Sequence, residues 1–178
     1  MFNSFLAPSG SYTPTLELGD TYGGGTIVYI LQPGDPGYDY YNQHGLIFGQ
    51  FLYNAPNNDY LWKWGNEPQK NVTTSSALGT GAANTAAIVA LYGSTAPAAY
   101  QCSISTYNGF TDWFLPSLNE FKAMIPFGKN LPNWYPIGNS WTSTQLNLSN
   151  AYEIYNNQTN EGNYDKNGSM RVALTRSF

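Results

Sequence analysis

Charge is what this sequence has least of: seven Lys and Arg, eleven Asp and Glu and one His stand among 178 residues, for a net charge of −4. Duplex nucleic acid is held by clustered cations that displace phosphate counterions, and seven scattered ones cannot do this, so nucleic acid is excluded as a partner. No polybasic stretch would draw the chain to anionic lipid. No apolar run approaches the roughly 20 residues that cross a bilayer, so no membrane insertion is expected. Cys102 is the only cysteine, which excludes an intrachain disulfide, a CxxC redox pair and a cysteine-built zinc site. His44 is the only histidine, so no His-rich metal site and no second imidazole for acid–base work are available. Met1 to Ala7 carry no basic leader and no sustained apolar segment, so no secretory signal is expected.

What the chain does have is apolar and aromatic residues, 42% and 16% of the sequence, enough for one domain with a substantial core. Asn, Thr, Ser, Gly and Tyr fill the positions that charges usually take. A surface of that kind meets its partner through hydrogen bonds and ring faces.

Residues 1–22 mix Ser, Pro, Thr and Gly without periodicity and read as an attachment arm, leaving 23–178 as the domain. Thr26 to Leu31 is β-branched and aromatic and predicts a strand. Gln32 to Gly37 then turns the chain, and Gly45 to Gln50 predicts the strand that follows, with a Tyr-rich tip at Tyr38, Tyr40 and Tyr41 between them. Gly81 to Leu91 predicts a helix with Ala83, Ala87, Ala90 and Leu91 on one face and Gly93 as its stop. Pro97 opens a second helix that buries Cys102. Ser117-Leu118-Asn119-Glu120 has capping-box spacing and starts a short helix that Pro126 ends. Short strands are expected at Trp141 to Thr144, Ala151 to Asn156 and Met170 to Thr175, with an Asn-rich connector before the last. This order of elements predicts an α+β domain rather than a repeating βαβ.

Several segments together carry a family likeness. They are Gly24-Gly25-Thr26-Ile27-Val28-Tyr29-Ile30, Gln43-His44-Gly45-Leu46-Ile47, Gly79 to Val89, Gly109-Phe110-Thr111-Asp112-Trp113-Phe114-Leu115-Pro116-Ser117, Ser140-Trp141-Thr142-Ser143, Asn150-Ala151-Tyr152, and Met170 to Phe178. In order and spacing they resemble the C-terminal domain family of a collagen-like bacterial adhesin. The resemblance implies a C-type-lectin-like fold: short twisted antiparallel sheets with two or three short helices, related to formylglycine-generating enzymes and phage variable receptor-binding domains. It further implies glycan binding on the C-terminal strands and loops, assembly as a homotrimer, and a place on a virion or extracellular surface. The chain departs from the family at Tyr152 and Asn156, where Trp and Phe are common, and at Thr159, where Gly is, so its ligand surface is remodelled.

A lectin surface stacks aromatic rings on sugar faces while amides and carboxylates take the hydroxyls, at about 1 kcal/mol net per hydrogen bond. Asn147 to Asn167 concentrate that chemistry, and the expected contacts are Trp141, Tyr152, Tyr155, Asn157, Asn160, Asn163 and Tyr164. Trp113 and Trp134 read as core residues. Catalysis is not expected: Glu120 has a capping role, Asp112 reads as a surface turn, and a glycosidase needs two free carboxylates at a set separation. The sugar-binding and ligand motifs of calcium lectins do not occur, since Glu67-Pro68 is followed by Gln69 and Gln32-Pro33 by Gly34. No metal or cofactor is therefore expected. Two functions fit: a phage decoration or receptor-binding protein that binds glycan, or a purely structural virion or surface protein anchored to its neighbours by residues 1–22.

Overall fold

The computed structural model describes residues 15–53, 62–66, 69–134, 138–155 and 160–178. In chain order its strands are β1 (Thr21–Tyr22), β2 (Gly25–Ile30), β3 (Gly45–Phe51), β4 (Trp62–Lys63), β5 (Ser140–Gln145), β6 (Asn150–Ile154), β7 (Glu161–Asp165), β8 (Ser169–Met170) and β9 (Ala173–Ser177). Its helices are α1 (Gly81–Tyr92), α2 (Pro97–Ser103) and α3 (Leu118–Gly128), between β4 and β5. The strands form antiparallel sheets in the orders β1-β2-β3-β9, β4-β8 and β5-β6-β7, an α+β architecture. No helix among the described residues is long and apolar enough to cross a membrane.

The middle of the four-stranded sheet is buried on both faces. Successive side chains of a strand point to opposite sides, so the run Leu46-Ile47-Phe48 of β3 feeds two cores. Ile47 joins Ile27 and Leu174 in a core with Ile88 and Tyr92 of α1, Cys102 of α2, and Trp64, Trp113 and Trp141. Leu46 and Phe48 join Val28 and Ala173 in a second core against Phe121, Met124 and Ile125 of α3. There the Trp134 ring packs on Phe48 and Phe51, with centroids 4.6 and 5.6 Å away. A strand with two buried faces has no polar positions to alternate with its apolar ones, which is why it reads as an unbroken apolar run.

Helix α1 ends at Gly93, whose φ of 58° suits glycine, but its buried face differs from the predicted alanine stripe. Gly81, Asn84, Thr85, Ile88 and Tyr92 are buried, and Ala83, Ala90 and Leu91 face solvent. Alanine methyls lose little in water, so the larger Ile88 and Tyr92 decide the orientation. Asn84 is carried inward because its amide is satisfied there: Oδ1 accepts from Ser75 N–H at 2.9 Å and Nδ2 donates to Ser75 C=O at 2.7 Å. Thr85 Oγ1 likewise accepts from Leu115 N–H at 3.0 Å.

Three other elements depart from the prediction. Pro126 lies inside α3, which continues to Gly128; the exposed ring removes one helical N–H near the end, and Lys129 N–H still reaches Ile125 C=O at 3.1 Å. The single strand expected at Met170 to Thr175 is two, β8 on β4 and β9 on β3. Residues 161–165, read as connector, form the edge strand β7, whose side chains are mostly exposed and so carry no apolar alternation. Of the N-terminal arm, residues 1–14 lie outside the described residues. Within the rest, Thr21–Tyr22 pairs with β2, and the Gln43 side chain brackets Leu16, accepting from its N–H at 2.7 Å and donating to its C=O at 3.0 Å.

Glu120 ties the helices together. The expected capping box is formed, with Glu120 N–H donating to Ser117 Oγ at 3.3 Å and Ser117 N–H to Glu120 Oε2 at 2.7 Å. The other oxygen, Oε1, accepts from Gly79 and Gly81 N–H at 3.1 and 3.3 Å, so one buried carboxylate serves the starts of both α3 and α1. Burial raises its pKa, and the Ser117, Gly81 and Gly79 hydrogen bonds act against that rise. Replacing Glu120 by Ala strands three buried or partly buried donors and is expected to cost about 3 kcal/mol or more in urea unfolding. A change below about 1 kcal/mol would contradict this role.

Candidate functional site

The C-terminal segment singled out by sequence forms the β6–β7 ribbon, and register divides its residues between two faces. Tyr152 pairs with Asn163, Ala151 with Tyr164 and Ile154 with Glu161. Tyr152, Asn163, Ile154 and Glu161 therefore share the face toward α3. There Ile154 enters the second core with Tyr152 packed beside it, and Asn150 Nδ2 donates to Asn163 Oδ1 at 2.8 Å. An ion pair between Lys122 of α3 and Glu161 fastens the ribbon on this side.

The opposite face carries Ala151, Glu153 and Tyr155 of the one chain stretch and Asn160, Gly162 and Tyr164 of the other, the pairing being extended by a Tyr155 N–H to Asn160 C=O bond of 3.2 Å. Tyr155 and Tyr164 are 40% and 53% exposed. Both rings lie over glycine backbone: a Cβ added to Gly162 would collide with the Tyr155 ring, and one added to Gly168 with the Tyr164 ring. Each ring is thus laid against the ribbon with the other side open. Glu153 beneath them is buried; burial raises its pKa, and hydrogen bonds with Asn139 and Tyr155 oppose the rise.

Of the residues expected to meet a ligand, the structure brings Tyr155, Asn160 and Tyr164 to one surface and turns Tyr152 and Asn163 to the other side. Asn157 lies outside the described residues. Trp141 is fully buried in the first core with Nε1–H donating to Trp62 C=O at 2.9 Å, so it offers no open ring face. The reason is its place on β5, whose residues from Ser140 to Thr144 are all buried. Trp113 and Trp134 are core residues, as their setting among apolar runs predicts.

The base of the ribbon is held by Lys166, fully buried in the turn after β7. Its ammonium donates to Gln145 Oε1 at 2.6 Å, Leu148 C=O at 2.8 Å and Lys70 C=O at 3.1 Å, and lies 4.8 Å from the Trp64 ring centroid. One cation thereby joins the 69–72 segment, the end of β5 and the β5–β6 turn. Burial lowers its pKa to about 8, while the nearby Asp165 charge acts in the opposite direction.

A second aromatic concentration is the loop between β2 and β3. Tyr40 and Tyr41 are 82% and 89% exposed, the most exposed large hydrophobic side chains among the described residues. Sequence reading noted this tip without assigning it contacts. The available signal was three tyrosines within four positions between turn residues, where no core periodicity accounts for them.

The groups weighed for catalysis have structural partners. Asp112 pairs with Arg176, whose hydrogen bond holds its carboxyl below the usual range, and Glu120 caps two helices. Cys102 is buried, which pushes its thiol pKa up. His44 Nδ1 meets Phe178 C=O at 3.0 Å. Among the described residues no three His, Cys, Asp or Glu side chains gather in a way that could hold a metal ion. No family model matches this chain, and no curated protein sequence matches it.

The Lys166 arrangement gives a pH prediction. Between pH 8 and the ordinary lysine value near 10.5, the unfolded chain holds a proton that the folded chain has released, so this group makes stability rise with pH in that window. Lys166→Met removes three hydrogen bonds, leaving Leu148 C=O unmatched while Gln145 Oε1 keeps Val72 N–H and Lys70 C=O keeps Tyr92 O–H; it is expected to lower stability at pH 7 by about 1–2 kcal/mol, and the gap to wild type widens from pH 8 to 10.5. Parallel urea midpoints for the two proteins across that range would contradict it.

Proposed function

We propose that this chain is a non-catalytic, surface-exposed binding module with a C-type-lectin-like fold that recognises glycan through the exposed tyrosines of its β6–β7 ribbon, Tyr155 and Tyr164. The observation that carries the reading is the pair of half-exposed rings, Tyr155 and Tyr164, each resting on a glycine with one side open. A sugar ring stacks on such a surface with little side-chain entropy left to lose, because the rings are already held. Asn160 and the ribbon edge offer amide and backbone groups to its hydroxyls. The C-type-lectin-like assignment rests on the resemblance carried by Gly24 to Phe178, with which short antiparallel sheets and three short helices are consistent.

The resemblance also suggests the biological setting, a phage virion decoration or receptor-binding component that assembles as a homotrimer, and residues 1–22, which have no counterpart in that family, are proposed as its attachment to the particle. Single contacts of this kind are weak, and a trimer multiplies them through valency. The engagement of Asp112 and Glu120 in structural bonds favours binding over hydrolysis.

The test is a glycan array probed with wild type and with a Tyr155→Ala/Tyr164→Ala variant. Wild type is expected to bind, and the variant to lose at least about tenfold in apparent affinity while melting within a few degrees of wild type. A folded wild-type oligomer that binds nothing would overturn the glycan reading and favour a purely structural role. Unchanged binding by the variant would overturn the ribbon as the site.

A further inference from the structure

The loop between β2 and β3 is built in a way that the ribbon does not explain. A groove of about 260 Å³ runs along it, and every residue lining it comes from positions 30–44. At its rim Tyr40 and Tyr41 meet edge to face, with ring centroids 5.3 Å apart and planes at 88°, so together they form a corner with an open ring face on each side of the angle. Large rings left this far in water are not contributing to the core, and loops that carry function are commonly fixed by a rigid scaffold beneath them.

This loop is fixed. At its base Asp35 Oδ2 accepts from Gln32 N–H at 2.8 Å and from Tyr29 O–H at 2.7 Å, and burial together with that bond raises the Tyr29 pKa to about 12. Leu31 N–H donates to His44 C=O at 2.8 Å, closing the neck. At the tip Asp39 accepts from Tyr41 N–H at 2.8 Å and from Asn42 Nδ2 at 2.7 Å, bonds that hold its carboxyl below the usual range. The rings are therefore presented by a loop that its own side chains have already ordered.

The groove is lined by Asp39 and His44 together with tyrosine hydroxyls and the Gln32, Asn42 and Gln43 amides, which can donate as well as accept. His44 gives Nδ1 to Phe178 C=O at 3.0 Å, so in the neutral ring Nδ1 carries the proton and Nε2 is left as an acceptor. Asp39 is the only carboxylate lining the groove, and no Lys or Arg lines it. The sequence holds no Lys or Arg before Lys63, so the N-terminal third of the chain offers nothing to a sulfate or uronate.

We propose that this loop is a second saccharide site, separate from the ribbon, and that it takes neutral sugars. Tyr40 and Tyr41 supply the ring faces, and His44 Nε2 and Asp39 accept from sugar hydroxyls. The site shares with the function proposed above the premise that the ligand is a saccharide, but it stands on different residues and can fail separately. An anionic sugar is disfavoured because it would approach the Asp39 carboxylate in a groove without Lys or Arg.

The experiment uses the full-length protein on an array of neutral hexose and N-acetylhexosamine oligosaccharides with their sulfated counterparts. The proteins are wild type, Tyr40→Ala/Tyr41→Ala, Tyr40→Phe/Tyr41→Phe and Tyr155→Ala/Tyr164→Ala, with melting temperatures measured alongside. The loop Ala variant is expected to lose at least about tenfold in binding to the neutral sugars without a change in melting temperature, and the Phe variant, which keeps both rings, to stay within about threefold of wild type. Wild-type binding of neutral sugars by the loop Ala variant overturns the proposal, whatever the ribbon variant does. Loss in the loop variant with retention in the ribbon variant supports it and removes the ribbon as the main site. An array on which wild type binds no neutral sugar overturns it as well.

Discussion

The structure depends on one constraint: β3 must be covered on both faces. Ile47 can leave water only if α1, α2 and the tryptophans assemble on one side, and Leu46 and Phe48 only if α3 and Trp134 assemble on the other. At about 25 cal/mol per Å² of apolar surface, these side chains supply much of what the fold needs against chain entropy. β6 repeats the pattern on a smaller scale, sending Ala151 into the first core and Ile154 into the second. Both exposed tyrosine surfaces are attached to strands held in this way. The 31–44 loop joins β2 to β3, and the ribbon is the continuation of β6.

Polar groups do the work between those cores. Glu120 and Lys166 are both buried, carry opposite formal charges and are each surrounded by backbone partners rather than by each other. Each gathers separate segments, Glu120 the starts of two helices and Lys166 the 69–72 segment, the end of β5 and the β5–β6 turn. In a chain with so few charges, the buried ones act as fixed junctions, and removing either would break hydrogen bonds to the backbone of more than one segment. The two surfaces proposed for binding, by contrast, hold few ionised groups and present ring faces, amides and backbone. A surface of that kind suits ligands that present hydroxyls and apolar ring faces more than ligands that present charge.

The sequence was most legible where one physical signal dominated. The β2 and β3 runs, the proline that starts α2, the glycine that stops α1 and the capping box of α3 each have a local cause that tertiary structure did not override. It was least legible where the signal lay in pairing. β7 has no apolar alternation because it is an exposed edge, so only its partner β6 makes it a strand. The face of α1 was misread because alanines mark a small surface and not a buried one. Composition grouped the contacts expected along the ribbon, but register separates Tyr155 and Tyr164 from Tyr152 and Asn163, and register does not appear in composition. Trp141 illustrates the same limit from the other side, since its burial follows from the β5 strand being covered throughout.

The central claim is that open tyrosine rings on a pre-ordered scaffold are what a saccharide touches. Its most direct test is saturation-transfer NMR on the full-length protein with a neutral oligosaccharide, irradiating the aromatic region selectively. The account predicts strong transfer from aromatic protons to the carbon-bound protons of the sugar ring. A saccharide that binds yet receives no saturation from aromatic protons, or no binding to a folded protein, would contradict it.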